Sequence, residues 1–290
     1  MTTLVRNVVG TGGHSTMRSL VARWGELAPL LAGASELTWQ ALAGVRLGPV
    51  VPDPSKVIAA PVNYVDHMHE MSEDFHVGAL GVFLKAPSSV LGPDQCIELP
   101  YTDRRFDQEG ELALVIGRRA RHVTEADALH YVFGYTGCLD ITMRGGEDRS
   151  TRKSFDTFTP VGPWLVTSDE FGSPAEVDLS CSVNGKVRQH ATTRDLIWGV
   201  AALVAYASSV MTLEPGDVIT TGTPAGVGQV HDGDTIELRL SGIGPLRATV
   251  SADHAVPCPT TGADRGPVPP SAPTTPRTTH DVRPAGEAVR

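Results

Sequence analysis

The chain has 290 residues, of which 41% are hydrophobic and 20% charged, as is ordinary for a globular protein with a sizeable core. Its formal net charge of −9 argues against nucleic acid or a membrane surface as the main partner, because both are usually anionic. The four cysteines form no CxxC pair, and the N-terminus lacks the apolar core of a signal peptide, so we expect a cytoplasmic protein with reduced thiols.

The first 51 residues are predicted to form a small N-terminal region. Residues 15–31, STMRSLVARWGELAPLL, begin with Ser-Thr and continue in an amphipathic pattern, which predicts a helix. The segment VPDPSK then interrupts the chain before the apolar strand pattern VIAA.

Strand patterns dominate residues 52–252, which we interpret as one catalytic domain. The dipeptide Asn184-Gly185 lies between two such patterns and predicts a hairpin. Helix patterns are few: residues 124–132 begin with a capping box, and residues 194–210 carry apolar side chains at helical spacing. The pattern predicts an α+β fold that is rich in strands and poor in helices.

Residues 253–290 are rich in proline and threonine and contain almost no large apolar side chain. Such a segment buries too little surface to offset the entropy lost on ordering. We therefore predict a disordered tail.

Two acidic side chains begin the apolar strand pattern GELALVIG. Glu109 and Glu111 are two residues apart, so on a strand they share the face of Ala113 and Val115. A third acid, Asp140, ends the apolar run YVFGYTGCLD. Burying like charges together is costly unless a cation compensates them, and oxygen ligands suit a hard ion such as Mg²⁺. In the alternative interpretation the glutamates lie on a solvent-facing edge, and spacing alone leaves both open.

Five stretches together resemble the fumarylacetoacetate hydrolase family in its small bacterial form. They occur in the family's order and cover most of residues 56–228: KVIAAPVNYVDHMHE (56–70), FLKAPSSVLGP (83–93), DQEGELALVIGRRARHVTEADALHYVFGYT (107–136), KSFDTFTPVGPWLVT (153–167) and MTLEPGDVITTGTPAGVG (211–228). The resemblance is to the branch of acylpyruvate hydrolases and 2-hydroxyhepta-2,4-diene-1,7-dioate isomerases. It implies a mixed β-roll, a homodimer and a role in the catabolism of aromatic compounds and 2-oxo acids.

The resemblance also implies a metal site and its ligands. It implies a divalent metal, normally Mg²⁺ with Mn²⁺ or Ca²⁺ as alternatives, held by Glu109, Glu111 and Asp140. Lys153 matches the lysine of the family's K-S-F-D motif, and Thr223 matches the threonine of its G-T-P turn. Both are expected to bind the substrate, with Lys153 also taking part in catalysis.

A His/Glu dyad on a mobile lid is implied by the match to the family motif N-Y-x-D-H-x-x-E. His67 and Glu70 are three residues apart and share one face of a helical turn, so Glu70 can orient the imidazole to activate water. Without the resemblance, a surface histidine in a polar loop is the plainer interpretation of the pair.

The expected reaction is hydrolysis of a carbon–carbon bond in an acylpyruvate, a 2-oxo acid, with a metal-stabilised enolate. A decarboxylase, hydratase or isomerase on the same scaffold is the nearest alternative, and a non-catalytic binding protein is a further one. The chain also departs from the family: Leu139 replaces the usual asparagine before the metal aspartate, and Gly145 replaces the usual acid after Arg144. These changes leave the identity of the substrate open.

Overall fold

The computed structural model describes residues 17–32, 42 and 45–270. The remaining residues, which include most of the predicted N-terminal region and the last twenty of the predicted tail, lie outside the described part. The described α-helices are α1 (Met17–Ala22), α2 (Trp24–Ala32), α3 (Val65–Glu70), α4 (Val77–Leu80), α5 (Arg149–Lys153), α6 (Ser168–Phe171) and α7 (Val200–Val210). Among them, none is long and apolar enough to cross a membrane.

The described part of the chain contains fifteen strands. In chain order they are β1 (Val57–Ala59), β2 (Phe83–Lys85), β3 (Val90–Leu91), β4 (Gln95–Glu98), β5 (Phe106–Gln108), β6 (Gly110–Ile116), β7 (Val132–Leu139), β8 (Thr142–Met143), β9 (Thr159–Thr167), β10 (Asp178–Val183), β11 (Lys186–Thr192), β12 (Val218–Thr220), β13 (Gly228–Gln229), β14 (Thr235–Leu240) and β15 (Gly244–Ser251).

The strands form three sheets of mixed direction. The largest has the order β2-β1-β12-β6-β7-β9-β3, the second has the order β11-β10-β14-β15-β4, and the smallest has the order β13-β5-β8. Strand β1 is parallel to β12, whereas β6 is antiparallel to both β12 and β7. The strand-rich α+β fold with few helices is confirmed.

Strand β6 is the centre of the fold because both of its faces are buried. Leu112, Leu114 and Ile116 belong to the main core between the sheets. Ala113 and Val115 belong to a smaller apolar cluster on the opposite face, as the alternation in the sequence predicts. A strand covered on both sides has little freedom to move, so it gives a fixed base to side chains placed at its start.

The predicted hairpin is confirmed at the turn between β10 and β11. Asn184 and Gly185 both have positive φ, at 51° and 76°, which is the geometry of a two-residue hairpin turn. The two strands pair antiparallel on either side of this turn.

The helix prediction at residues 124–132 is wrong. The chain forms a turn and then a short 3₁₀ helix, Ala128–Tyr131. The Thr124 hydroxyl accepts from the Asp127 N–H at 3.3 Å and donates to the Asp127 carboxylate at 2.7 Å, so the predicted capping residues do meet at this turn. Strand β7 begins immediately afterwards and leaves no room for a longer helix.

The helix predicted over residues 194–210 is confirmed only from Val200 onward. Residues Thr193–Asp195 form a 3₁₀ turn, and Leu196 makes an isolated β-bridge with Tyr64. Gly199, which has low helix propensity, is the N-cap of α7 in an extended conformation.

Part of the segment predicted to be a disordered tail is packed against the domain. In residues 253–270, the Gly262 carbonyl accepts a hydrogen bond from the Gly146 N–H at 2.9 Å. The Pro269 carbonyl accepts one from the Arg105 guanidinium at 3.1 Å. Hydrogen bonds to loops of the domain, rather than apolar burial, therefore hold this part of the segment, and such partners are not visible in its composition.

Leu238 connects the second sheet to the start of β6, and its side chain is fully buried. We expect Leu238→Ala to lower the free energy of unfolding by about 2–5 kcal/mol, because a cavity forms between the sheets. Urea unfolding followed by circular dichroism measures this loss. The matched control Val187→Ala, at an exposed position on β11, should cost no more than about 0.5 kcal/mol. Equal losses in the two variants would contradict the packing described for Leu238.

Candidate active site

The predicted acidic residues meet where β6 pairs with β7. Glu109 precedes β6, Glu111 lies within it, and Asp140 follows β7. The Asp140 N–H donates to the Glu109 carbonyl at 2.8 Å, which fixes the two strand ends side by side. Each carboxylate contributes an oxygen to a cluster whose atoms lie within 4.8 Å of one another. Their residues are only 5%, 2% and 1% exposed, so the solvent-edge interpretation does not hold.

Gly110, between the two glutamates, allows this strand to approach the second sheet closely. A Cβ at this position would lie 2.9 Å from the Cβ of Cys181 and 2.9 Å from the Cδ1 of Leu238. The fully buried Gln189 holds the same residue, because its Oε1 accepts a hydrogen bond from the Gly110 N–H at 2.9 Å. The backbone that carries the glutamates is therefore clamped from the side of β11.

Three buried cations compensate part of the negative charge. Lys153 Nζ donates to Glu109 at 2.7 Å, to Asp140 at 2.5 Å and to the Thr142 hydroxyl at 2.6 Å. Lys85 Nζ donates to the other Asp140 oxygen at 2.5 Å. The Arg144 guanidinium bridges Glu109, at 2.8 Å, and Asp107, at 2.6 Å.

Glu111 differs from its neighbours because it has no ion pair among the described residues. Its Oε2 accepts a hydrogen bond from the Gly222 N–H at 2.8 Å. Burial, together with the nearby Asp140, raises the pKa of Glu111. Burial alone would also raise the pKa of Glu109, but Lys153 and Arg144 hold it well below its usual range. Glu111 is therefore the one carboxylate of the cluster with no direct cationic partner among the described residues, and a hard divalent ion fits this oxygen-only donor set.

The predicted dyad lies on α3, and His67 lines the cavity that also contains the carboxylate cluster. His67 Nδ1 is 3.1 Å from the Glu70 Oε2, and the other Glu70 oxygen accepts a hydrogen bond from the Gly226 N–H at 2.9 Å. The His67 residue is 6% exposed, which excludes a surface histidine in a polar loop. Glu70 is thus held in place by the turn after β12, and it orients the imidazole.

The segment after the dyad, residues 71–81, lies against the domain. Val77 in α4 is fully buried, and its N–H donates to the Val62 carbonyl at 3.2 Å. Glu73 forms an ion pair with Arg149 at 3.4 Å. The segment therefore covers one side of the cavity.

Thr223 lines the cavity, and its hydroxyl is engaged with the protein. It donates to the Gly110 carbonyl at 3.0 Å and accepts from Gln189 Nε2 at 2.7 Å. The threonine thus connects the turn after β12 to the backbone between the two glutamates.

One cavity joins all the predicted site residues except Glu70, which reaches it through His67. The predicted residues on its wall are His67, Glu109, Glu111, Asp140, Lys153 and Thr223. Pro267, from the segment predicted to be disordered, also lines it.

Sequence reasoning assigned no role to Lys85, Gln189 or Arg152. Lys85 carries the clearest signal, because a lysine inside the apolar run GVFLKA is unusual for a buried strand unless it has an anionic partner. Gln189 and Arg152 lie in ordinary polar segments, and only the folded chain shows that both are buried.

The comparison with known families agrees with this site. Residues 56–251 match the family described as Fumarylacetoacetate (FAA) hydrolase C-terminal, and the chain belongs to the fumarylacetoacetate hydrolase family. The resemblance drawn from the five sequence stretches is therefore confirmed.

Individual relatives indicate which enzyme activities occur in proteins similar to this chain. The chain is 48% identical over 220 residues to a maleylpyruvate hydrolase of Aquipseudomonas alcaligenes, with 72% of this chain and 77% of that protein covered. A crystal structure of maleylpyruvate hydrolase from Sphingobium sp. SYK-6 in complex with manganese(II) ion and pyruvate has a TM-score of 0.74 and 40% identity, covering 81% of this chain and 85% of that one.

A structure of 2-hydroxyhepta-2,4-diene-1,7-dioate isomerase from Mycobacterium marinum has a TM-score of 0.68 at 40% identity, covering 76% of this chain and 83% of that one. The prediction of an enzyme is confirmed by these relatives, which do not support the non-catalytic alternative. The similarity to an isomerase supports only the alternative prediction, in which the enzyme isomerises its substrate.

Glu111 provides a direct test of the metal site. No described cation pairs with Glu111, so removing its charge leaves no buried cation unpaired. We expect Glu111→Gln to keep the fold and to weaken Mn²⁺ and Mg²⁺ binding by about 100-fold or more, since loss of a ligand exceeds the cost of losing a supporting contact. Titration calorimetry measures the affinity, and circular dichroism checks the fold. Glu98→Gln, at an exposed glutamate on β4, is the matched control. Undiminished affinity in Glu111→Gln would rule out this ligand assignment.

Proposed function

We propose that this protein is a metal-dependent hydrolase that cleaves a carbon–carbon bond in acylpyruvate-type substrates. The observation that carries the proposal is the presence of the carboxylate cluster and of His67 on the wall of one cavity. The similarity to maleylpyruvate hydrolases supports it, because one of them binds manganese and pyruvate.

We propose Mg²⁺ as the resident ion, with Mn²⁺ or Ca²⁺ as substitutes, held by Glu109, Glu111 and Asp140. Carboxylate oxygens are the ligands that such hard ions prefer. When bound, the ion supplies Lewis-acid stabilisation for negative charge that develops on the 2-oxo acid.

His67 is the proposed general base. With Nδ1 held by Glu70, the imidazole carries its proton on that nitrogen, and Nε2 is left to accept a proton from water. The hydroxide forms a bond to the acyl carbonyl carbon, and the bond from that carbon to the pyruvate methylene breaks. The electron pair stays on the methylene carbon, which takes the proton back from the imidazolium. The products are a carboxylic acid and pyruvate, so water is consumed and the atoms balance.

Lys153 has a supporting role in this proposal. Its three hydrogens are directed at Glu109, Asp140 and Thr142, so it acts on the substrate through its charge and by positioning the carboxylates. Thr223 is retained as a proposed substrate contact. Because its hydroxyl donates to the Gly110 carbonyl, binding a substrate carboxylate requires that hydrogen bond to be exchanged.

An isomerase, decarboxylase or hydratase of related 2-oxo or 2-hydroxydienoic acids is the second candidate, favoured by the similarity to the Mycobacterium marinum isomerase. We further propose that the protein is a cytoplasmic homodimer and that it acts in the breakdown of aromatic compounds or 2-oxo acids. Size-exclusion chromatography with light scattering tests the homodimer.

A substrate panel with and without chelator tests the proposed function. The panel contains acylpyruvates, oxaloacetate and dienoic 2-oxo acids, and pyruvate release is the readout. We expect acylpyruvate cleavage that chelator abolishes and Mg²⁺ or Mn²⁺ restores, because the carboxylates cannot stabilise negative charge without a cation. Cleavage that persists in chelator would contradict the proposal.

His67 separates hydrolysis from decarboxylation. We expect His67→Gln to lower the kcat of acylpyruvate hydrolysis by about 10²- to 10⁴-fold, because the proposed base is lost, while oxaloacetate decarboxylation loses much less. Coupled assay of pyruvate measures both reactions. His69→Gln is the matched control, since His69 lies on the same helix and is exposed. An equal loss of hydrolysis in both variants would exclude His67 as the base.

A further inference from the structure

We propose that Arg152 binds a second carboxylate, at the acyl end of the substrate, so that the preferred substrates are dicarboxylic acylpyruvates. The inference rests on the proposed function and assigns the part of the cavity that the metal site and the dyad do not use.

Arg152 lies on α5, next to Lys153, and lines the same cavity. The residue is 6% exposed. Its Nε donates to the Glu147 carbonyl at 2.9 Å, which anchors the guanidinium. Its Nη1 is buried and has no hydrogen-bond partner among the described residues. A buried guanidinium with a donor left over is what an anionic ligand would complete.

The other lysine and arginine side chains on the cavity wall already have carboxylate partners. Arg144 pairs with Asp107 and Glu109, and Lys153 pairs with Glu109 and Asp140. Arg149 pairs with Glu73. Within the described part of the chain, Arg152 is thus the one cavity-lining arginine or lysine that forms no ion pair. Its charge is available to a ligand, whereas the others are neutralised by the protein.

Burial of this charge is unfavourable without an anion. Burial and the neighbouring Arg144 both lower the pKa of Arg152. A charged group removed from water needs a partner, and a planar guanidinium matches a carboxylate with two parallel hydrogen bonds. A carboxylate of the ligand would pair with the Arg152 guanidinium, and this pairing would favour ligands that carry such a group.

The partners of the two side chains distinguish the second carboxylate from the first. Lys153 donates to Glu109 and Asp140, where the 2-oxo acid end of the substrate is proposed to bind. Arg152, the preceding residue of the same helix, donates instead to the Glu147 carbonyl and pairs with neither of these carboxylates. The group that it meets is therefore the acyl end of the substrate.

A network that extends beyond the family match holds Arg152 in place. Glu147, whose carbonyl anchors the guanidinium, pairs through its side chain with Arg104 at 2.6 Å and with the Thr260 hydroxyl. Gly145, which replaces the usual acid, leaves room for this network, because a Cβ there would lie 2.7 Å from Arg104 Nη1. Thr260 lies beyond residue 251, where the family match ends. The segment after the domain thus supports the loop that positions Arg152.

The test compares two substrates that differ at the acyl end. Maleylpyruvate carries a second carboxylate there, and acetylpyruvate carries a methyl group. For the metal-loaded enzyme, we expect Arg152→Gln to lower the ratio of kcat/KM for maleylpyruvate to that for acetylpyruvate by about 10- to 100-fold, mainly through KM, because one charge-assisted contact is lost. Arg152→Lys keeps the charge without the planar fork and should give an intermediate ratio.

Arg149→Gln is the matched control, since this arginine lies on the same helix and is paired with Glu73. It should change the ratio much less than Arg152→Gln. An unchanged ratio in both Arg152 variants would overturn the proposal. So would a loss of inhibition by pyruvate as large as the loss for maleylpyruvate, because Arg152 would then bind the 2-oxo acid end.

Failure of the proposed function can be told apart from failure of this inference. If the wild-type enzyme cleaves neither substrate in the presence of metal, the hydrolase proposal fails. Titration calorimetry with maleylpyruvate on the wild type and on Arg152→Gln then decides the inference from binding alone. Weaker binding to the variant supports it, and equal binding overturns it.

Discussion

The burial of three carboxylates at one point is the constraint on which the rest of the structure depends. Lys153, Lys85 and Arg144 are buried because they form ion pairs with Glu109 and Asp140. These ion pairs explain why several charged side chains lie beneath the cavity wall. Glu111 is left without a direct cationic partner among the described residues, and a divalent ion would supply one. The apolar faces of β6 then make the cluster rigid, because a strand packed on both sides holds the spacing of its first residues.

The turn after β12 holds both the dyad and the carboxylate cluster. Glu70 is fixed by the turn after β12, and that turn also contacts Glu111 and the backbone between the glutamates. The proposed base and the proposed metal ligands are therefore held by one element. Arg152 is the exception on the cavity wall, because no described carboxylate pairs with it. In our account that missing partner is supplied by the substrate, which links the charge pattern of the cavity to the choice of substrate.

Much of this site could be predicted from the sequence, for physical reasons that are local. Two acids at period two before an apolar strand, and a third acid at the end of another apolar run, require only the alternation of a strand. The roles of Lys85, Gln189 and Arg152 depend on contacts between residues far apart in the chain, and no local pattern records them. The helix predicted over residues 124–132 is wrong because the chain enters strand β7 at Val132 after a single 3₁₀ turn, and a local capping pattern does not record where the next strand begins. The hydrogen bonds of residues 253–270 to distant loops, such as that of Gly146 to Gly262, are likewise not recorded in the composition of the segment.

The central claim is that the carboxylate cluster binds a divalent ion. Anomalous diffraction at the manganese edge, from crystals grown with Mn²⁺, tests it most directly because it locates the ion without reference to activity. The account predicts a strong anomalous peak among Glu109, Glu111 and Asp140, and loss of that peak in Glu111→Gln crystals. A fully loaded site elsewhere in the cavity, with no peak at the cluster, would contradict it.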